Sequence, residues 1–593
     1  MIFGRHINRY YLRYLHFLLI GLAALAAVDY LQLIIPNLYQ MVVNGLNQGW
    51  VLVDGAKQPF NMEFLLDKVL MPMIVVILSI VAGRFLWRIM FLGTAFKMEE
   101  QLRNRMFGNA RGLSQSYYQL HKVGSLMSLF TNDLDTVLEC FAWGIMMFFD
   151  ALILASMSLT KMFRMDVFLT LLTLIPTALL LASATVVGRY MMKKWDIRQE
   201  AYARLSDFSQ ESFSGIAVIK AFVKEAKELM AFRKLNEENE LANIAHTKAS
   251  VLLRVLVMMF VESVVCIILG YGGYLVWKGR FNAGQLVEFI GYYTAVVWPV
   301  MAVSEMIDMS SRGKASLKRI GELLDAAPDV VDAPDAVPLE QVKGEIEFKN
   351  LSFRYPDGEY DVLKNVSFRI AAGENVGLVG KTGCGKTTLV DLILRTYNVP
   401  DGTVFVDGHD INRITIHSLR EGCAYVPQDN YLFSDTIANN IAFAVDDWTE
   451  AEVEEAGVLA DVDENIREFQ EGYQTMLGER GVTVSGGQKQ RISIARALMK
   501  KAPILILDDS VSAVDTKTER AILANLRATR KGKTTILIAH RISTIQEMDK
   551  LLYLEDGRVT AVGTHDELYA SCPGYRKMVD LQRLEEEGGT AHA

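Results

Sequence analysis

The chain has 593 residues, 51% of them hydrophobic and 22% charged, too long for a small stapled module and too apolar for one average soluble globule. A formal charge of −8 argues against a nucleic-acid partner, whose phosphates need a basic surface. The five cysteines (Cys140, Cys266, Cys384, Cys423, Cys572) are scattered without a CxxC pair, so neither a disulfide framework nor a structural zinc site is expected.

In chain order, apolar runs predict six membrane spans within residues 1–320, at about 16–46, 69–96, 137–162, 167–190, 251–277 and 286–307. The first run is too long for a cleaved leader and carries Asp29 and Pro36. Basic residues crowd the connections after the second span (Lys97, Arg103, Arg105) and after the fourth (Arg189, Lys193, Lys194), whereas the loop 47–68 has a mixed, sparse charge. Because cytoplasmic loops hold the excess of Lys and Arg, both termini are expected inside a cell membrane. The two long inner connections read as helical extensions of the spans. Residues 321–342, with Pro328, Pro334 and Pro338, read as a linker.

From residue 343 the pattern changes to short β-rich runs (346–353, 375–379, 504–507, 535–539, 551–555) between helical segments, which predicts an α/β nucleotide-binding domain over 343–583 and a flexible tail over 584–593. The fold class is therefore multidomain: an all-α six-helix transmembrane domain, then an α/β P-loop domain.

Within that second half, Gly380-Lys381-Thr382-Gly383-Cys384-Gly385-Lys386-Thr387 follows a strand pattern and precedes the helix pattern from Thr388, as a phosphate-binding loop requires. The glycines let backbone N–H groups face phosphate oxygens, Lys386 adds positive charge, and Thr387 can hold Mg²⁺. Cys384, inside this loop, is the thiol expected to be blocked by alkylation when nucleotide is absent. Ile504–Leu507 is an apolar buried-strand pattern delivering Asp508, a second Mg²⁺-holding group. Val484-Ser485-Gly486-Gly487-Gln488 opens a helix pattern, suiting either an anion site or an ordinary helix cap.

These segments, with Ser512-Ala513-Val514-Asp515 and His540, resemble the ATP-binding-cassette family in its order of Walker A, signature, Walker B, D-loop and switch histidine. Six spans ahead of the cassette resemble an exporter half-transporter. The resemblance implies ATP and Mg²⁺ as cofactors, Tyr355 against adenine, Thr388 beside the phosphate loop, Gln428 as the Q-loop glutamine at Mg²⁺ or water, and His540 as the switch. It also implies that Glu479 belongs to a segment touching the stalks, and that 116–127 and 211–219 are coupling segments. Cassettes of this family pair head to tail, so the signature serves a partner's ATP.

Two residues depart from the family pattern: Val484 stands for the usual Leu of a signature otherwise kept, and the second departure matters more. Asp509 stands where hydrolytic sites usually have Glu, and a carboxylate shorter by one methylene reaches the attacking water poorly. A weak base beside an intact signature looks like one half of a heterodimer whose partner carries the catalytic Glu; a homodimer working with Asp509 is the rival. The expected cargo is a hydrophobic or amphipathic drug-like compound, lipid or peptide, moved outward among membrane lipids. A lipid flippase, an importer of the same architecture and an ATP-gated channel or regulatory subunit are the alternatives. In the membrane half, Asp29 and Glu262 are candidates for a polar pathway or, equally, for inter-helix pairing. Met146–Phe149 and Met258–Phe260 read either as an adaptable lining or as packing.

Overall fold

The computed structural model describes residues 4–53, 56–478, 481 and 483–590. They form two compact units, Met1–Ala110 with Gly124–Asp325 and Arg111–Val123 with Ala326–Ala593.

The first unit is helical. Its long elements are α1 (Leu15–Gln32), α2 (Ile35–Gln48), α3 (Met71–Ala110), α4 (Leu134–Met165), α5 (Val167–Ser214), α6 (Glu225–Ile267) and α7 (Ala283–Asp325). The first expected span is broken: α1 stops at Gln32 and α2 starts with Pro36 in its first turn. The proline has no N–H for the carbonyl four residues back, which is that of Gln32, and its ring crowds that carbonyl. Among the described residues, five helical stretches are long and apolar enough to cross a membrane: Leu15–Gln48, Met62–Ala110, Val123–Met165, Glu225–Trp277 and Ala283–Asp325. The fourth expected run is represented by a shorter apolar stretch, Val167–Leu180, which opens the 48-residue α5. Asp166 caps that helix by accepting the Leu169 N–H at 2.8 Å.

Helices α1 and α3, α4 and α7, and α5 and α6 pack as pairs. Helix α7 runs to Asp325, beyond the boundary expected at residue 320. Its Arg319 is tied to Asp133, whose Oδ2 accepts from Nε at 3.1 Å. That ion pair fastens the last helix to the turn before α4, and the continuation to Asp325 keeps Leu323 buried.

The second unit carries two sheets, built from β1 (Ile346–Phe353), β2 (Leu363–Ile370), β3 (Asn375–Gly380), β4 (Val404–Val406), β5 (His409–Asp410), β6 (Cys423–Val426), β7 (Ile504–Asp508), β8 (Thr534–Ile538), β9 (Lys550–Glu555) and β10 (Arg558–Gly563). Among the described residues one sheet is six-stranded, in the order β10-β9-β3-β8-β7-β6, and the other four-stranded, in the order β2-β1-β4-β5. In the larger sheet all pairs are parallel except β9 with β10. Strands β7 and β8 are buried at every position, as the interior of a parallel sheet demands. Three helices matter for the site: α8 (Lys386–Ile393), α9 (Gly486–Met499) and α10 (Thr516–Thr529). The stretch after Arg583, expected as a tail, continues the helix Pro573–Thr590, in which Leu584–Glu587 are helix formers although Gly588 and Gly589 are not.

Candidate nucleotide-binding site

Register brings the motifs together. Ile538 of β8 pairs with Leu378 of β3 on one side and with Asp508 of β7 on the other. The phosphate loop, His540 and Asp508 therefore leave the same edge of the sheet from three neighbouring strands. Val426 of β6 pairs with Leu507, which puts the exposed Gln428 two residues beyond the end of the next strand.

The loop between β3 and α8 is shaped by glycines that nothing larger can replace. A Cβ on Gly380 would stand 2.3 Å from the Leu554 carbonyl oxygen, and Gly385, at φ +103, would meet Leu363 at 2.7 Å. Lys381, Thr382 and Gly383 form the exposed crown, while Cys384, Lys386 and Thr388 are buried. The Lys386 ammonium donates to the carbonyls of Gly380 at 2.9 Å and Lys381 at 3.0 Å, holding the loop curled around its own side chain. Cys384 does not fit the role of reactive thiol: it is buried, and desolvation pushes its thiol above the ordinary range although Lys386 pulls the other way.

Asp508 is 1% exposed, and its Oδ2 has no hydrogen-bond partner among the described residues. Burial raises its carboxyl above the usual range; the Thr387 hydroxyl, donating to it, and the nearby Lys386 and His540 oppose the rise, while Asp509 adds to it. An orphaned buried carboxylate oxygen beside a threonine hydroxyl is the donor set a Mg²⁺ ion needs, so Thr387 and Asp508 fit the metal. Asp509 follows at φ +48, a conformation that Asp tolerates better than longer side chains. Its backbone is fixed on both sides: its N–H donates to the Ile538 carbonyl at 3.0 Å, and its carbonyl accepts from Ser512 Oγ at 2.9 Å and Gln490 Nε2 at 3.3 Å.

Gln490 is a positioning residue that the sequence reading passed over. It is buried in α9, and besides the Asp509 contact its Oε1 accepts the Ala513 N–H at 3.0 Å. It thus ties the signature helix to the turn carrying Ser512 and Asp515. The motif's two Gln residues, separated only by Lys489, are the available signal: Gln488 is spent on a cap, leaving Gln490 to reach inward. Ser485 and Gln488 form a reciprocal capping box, with Ser485 Oγ accepting from Gln488 N–H at 3.3 Å and Gln488 Oε1 accepting from Ser485 N–H at 2.9 Å. Val484 packs half-buried against the core below; Gly486 has open space around it, whereas a Cβ on Gly487 would come within 3.1 Å of the Ala513 carbonyl oxygen. Asp515 caps α10, accepting from Lys517 and Thr518 N–H groups at 3.0 and 3.1 Å. The Glu479 expectation lies outside the described residues.

Tyr355 lies edge-on to Tyr397 with ring centroids 5.1 Å apart, and its hydroxyl is 2.9 Å from Thr388 Oγ1. Tyr397 in turn bonds Gln119 of the short helix Gln115–Leu120, which packs in this unit. The same segment is latched by Asp329, which accepts from Ser116 Oγ at 2.6 Å and from Ser114 Oγ. The second expected coupling segment is a break at Gly215 between α5 and the helix Ile216–Ala221.

Asp391, one turn into α8, was also passed over. Burial and then the Asp508 carboxylate push its carboxyl up to about 6. A carboxyl raised above its unfolded value contributes stability below that value and loses it as pH rises through the folded one. Asp391→Asn is therefore expected to stabilise the nucleotide-free protein by up to about 3 kcal/mol near pH 7.5, with the gain vanishing below about pH 4, as read from thermal unfolding across pH.

In the first unit, a cavity of about 920 Å³ is lined by Phe148, Leu152, Leu159, Val296 and Pro299 among mostly apolar neighbours. Of the Met-rich positions, Phe148 lines this cavity, Met146 and Met147 are buried packing, and Met258 and Met259 are exposed. Asp29 is buried and Glu262 is exposed on α6.

A phosphate loop, a buried metal-fitting carboxylate and a helical unit with membrane-length helices define an ATP-driven multi-pass membrane transporter. Comparison with known proteins narrows the class. Residues 363–512 match the model of the ABC transporter family and residues 18–300 that of the ABC transporter transmembrane region. The chain is 35% identical over 589 residues to the Probable multidrug resistance ABC transporter ATP-binding/permease protein YheI of Bacillus subtilis, covering 99% of this chain and 98% of that protein. It is 34% identical over 525 residues to the ATP-dependent lipid A-core flippase of Syntrophus aciditrophicus, covering 87% and 86%. A solved bacterial Atm1-family ABC exporter with ATP bound superposes with a TM-score of 0.77 at 26% identity, over 97% of this chain and 99% of that one. The chain belongs to the ABC transporter family, as an exporter whose transmembrane domain is fused to its nucleotide-binding domain.

Proposed function

We propose that this chain is the weakly hydrolytic subunit of a heterodimeric ABC exporter, spanning the cell membrane six times with both termini and the cassette in the cytoplasm. The observation that carries the reading is Asp509: its side chain is one methylene short for a general base, and its backbone is held by Ile538, Ser512 and Gln490, so a shift of the chain cannot restore the reach. Tyr355 stacks on adenine, the loop Gly380–Thr388 binds the phosphates, and Lys386 exchanges its loop carbonyls for phosphate oxygens. Mg²⁺, held by Thr387, Asp508 and Gln428, supplies positive charge at the outer phosphates. His540 and Gln428 orient water, and Asp509 accepts its proton slowly. Val484–Gln488, with Ser512 and Asp515, complete the ATP site of a partner carrying Glu at the base position.

The apolar cavity beside α4 and α7 supports a hydrophobic or amphipathic cargo, whether drug-like compound, lipid or peptide. The relative named as a flippase favours lipid as the second reading.

The test compares two substitutions in the co-purified pair. Ser485→Ala is expected to abolish most vanadate-sensitive ATPase and uphill transport, whereas Asp509→Ala lowers turnover less than twofold. Equal loss from both substitutions, with brisk turnover by the chain alone, would establish the homodimer instead. ATP-dependent channel currents without uphill transport would establish the gated channel.

A further inference from the structure

Asp29 is 2% exposed near the end of α1, and its Oδ2 is buried without a hydrogen-bond donor among the described residues. Its carboxyl meets, side chain to side chain, that of Asp150 on α4. The charged groups facing this pair from the surrounding helices are few. Arg84 of α3 acts on both carboxyls, and from α7 the Trp298 indole N–H donates to Asp150 Oδ2 at 2.7 Å. Arg84 is also shared with Gln32, whose Oε1 lies 3.4 Å from its guanidinium.

Two carboxylates in contact have no hydrogen to share. With both ionised the cluster carries two negative charges against one guanidinium, and an uncompensated charge at membrane depth costs roughly 3 kcal/mol or more. One additional positive charge that can donate a hydrogen bond removes both defects at once. Asp150 is half-buried and Trp298 is 41% exposed, so the pair is reachable from the Asp150 side, whereas Asp29 is buried. A buried carboxylate pair that is open on one side is the chemistry that receives an organic ammonium group as well as a proton.

We propose that Asp29 and Asp150 form a binding site for a single hydrogen-bond-donating positive charge, filled by a proton when no cargo is present and exchangeable for the ammonium group of a cationic cargo. The exchange is balanced: one proton leaves the carboxyl pair as one ammonium enters, and the cluster stays neutral. Asp29 thereby acquires a chemical role independent of ATP.

The experiment uses the full-length protein with the subunit it co-purifies with, in lipid nanodiscs. Infrared spectra at neutral pH are expected to contain a protonated-carboxyl band that disappears in both Asp29→Asn and Asp150→Asn. A fluorescent dansyl-alkylammonium probe is expected to quench the band, release about one proton per molecule bound, and bind roughly tenfold more tightly per unit rise in pH, while its neutral N-acetyl analogue shows no pH dependence. A band removed by both substitutions but untouched by the probe supports the site with the proton as its occupant. Absence of a band sensitive to either substitution, with ammonium and amide binding alike in wild type and variants, overturns the proposal. Neither readout needs ATP, so failure here leaves the exporter reading intact.

Discussion

Asp509→Glu is expected to raise ATP turnover at this chain's own site by about 10²-fold, because a retraction of roughly 1 Å at a base can cost that factor. The gain depends on the backbone. With φ at +48 and both its N–H and its carbonyl hydrogen-bonded, the turn cannot shift to absorb the added methylene, so a Glu carboxylate extends farther from the same backbone position. A longer side chain tolerates this backbone conformation less well, so the variant is expected to lose a few tenths of a kcal/mol in stability while gaining rate. Single-turnover hydrolysis by the pair, with the partner's site silenced through Ser485→Ala in this chain, isolates the effect. A rate unchanged by Asp509→Glu would mean that the distance to water is not what limits this site.

Lys386→Ala is the second substitution with a large expected effect, weakening ATP binding by about 10²-fold, the value of a charge-assisted hydrogen bond at the strong end of its range. Its consequence is wider than a lost phosphate contact. The ammonium also satisfies the Gly380 and Lys381 carbonyls, so the loop loses the group it curls around. Lys386→Arg is expected to recover little, since a planar guanidinium cannot occupy the buried space of a compact ammonium. Equilibrium binding of a fluorescent ATP analogue measures both variants, and near-normal affinity for Lys386→Ala would contradict the role assigned to the ammonium.

The parts of this molecule legible in its sequence are those whose cause is local. An apolar run ending in a carboxylate announces β7 and Asp508, and a glycine-rich octapeptide between strand and helix announces the loop around Lys386. Strand β2, Leu363–Ile370, has a clean alternation of buried and exposed positions over most of its length, and its period-two signal was there to be read. Other features depend on partners distant in the chain. Asp391 is unusual only because it is buried near Asp508, and Gln490 matters only because α9 brings it beneath the Asp509 turn. The exact ending of α1 follows from one residue, Pro36, whose presence was noted but whose clash falls on a carbonyl four positions earlier. The pairing of Asp29 with Asp150 joins two helices, and no spacing along either one encodes it.

The linker Asp329 grips Ser114 and Ser116, and Tyr397 grips Gln119, inside the same compact unit as the cassette. The covalent border between the two halves and their physical border therefore do not coincide. A cassette excised by a single cut at Ala326 would leave behind a helix that covers part of its own surface. Such a fragment would expose Tyr397 and an unsatisfied Asp329, and supplying the segment Arg111–Val123 as a separate peptide should restore what the cut removed.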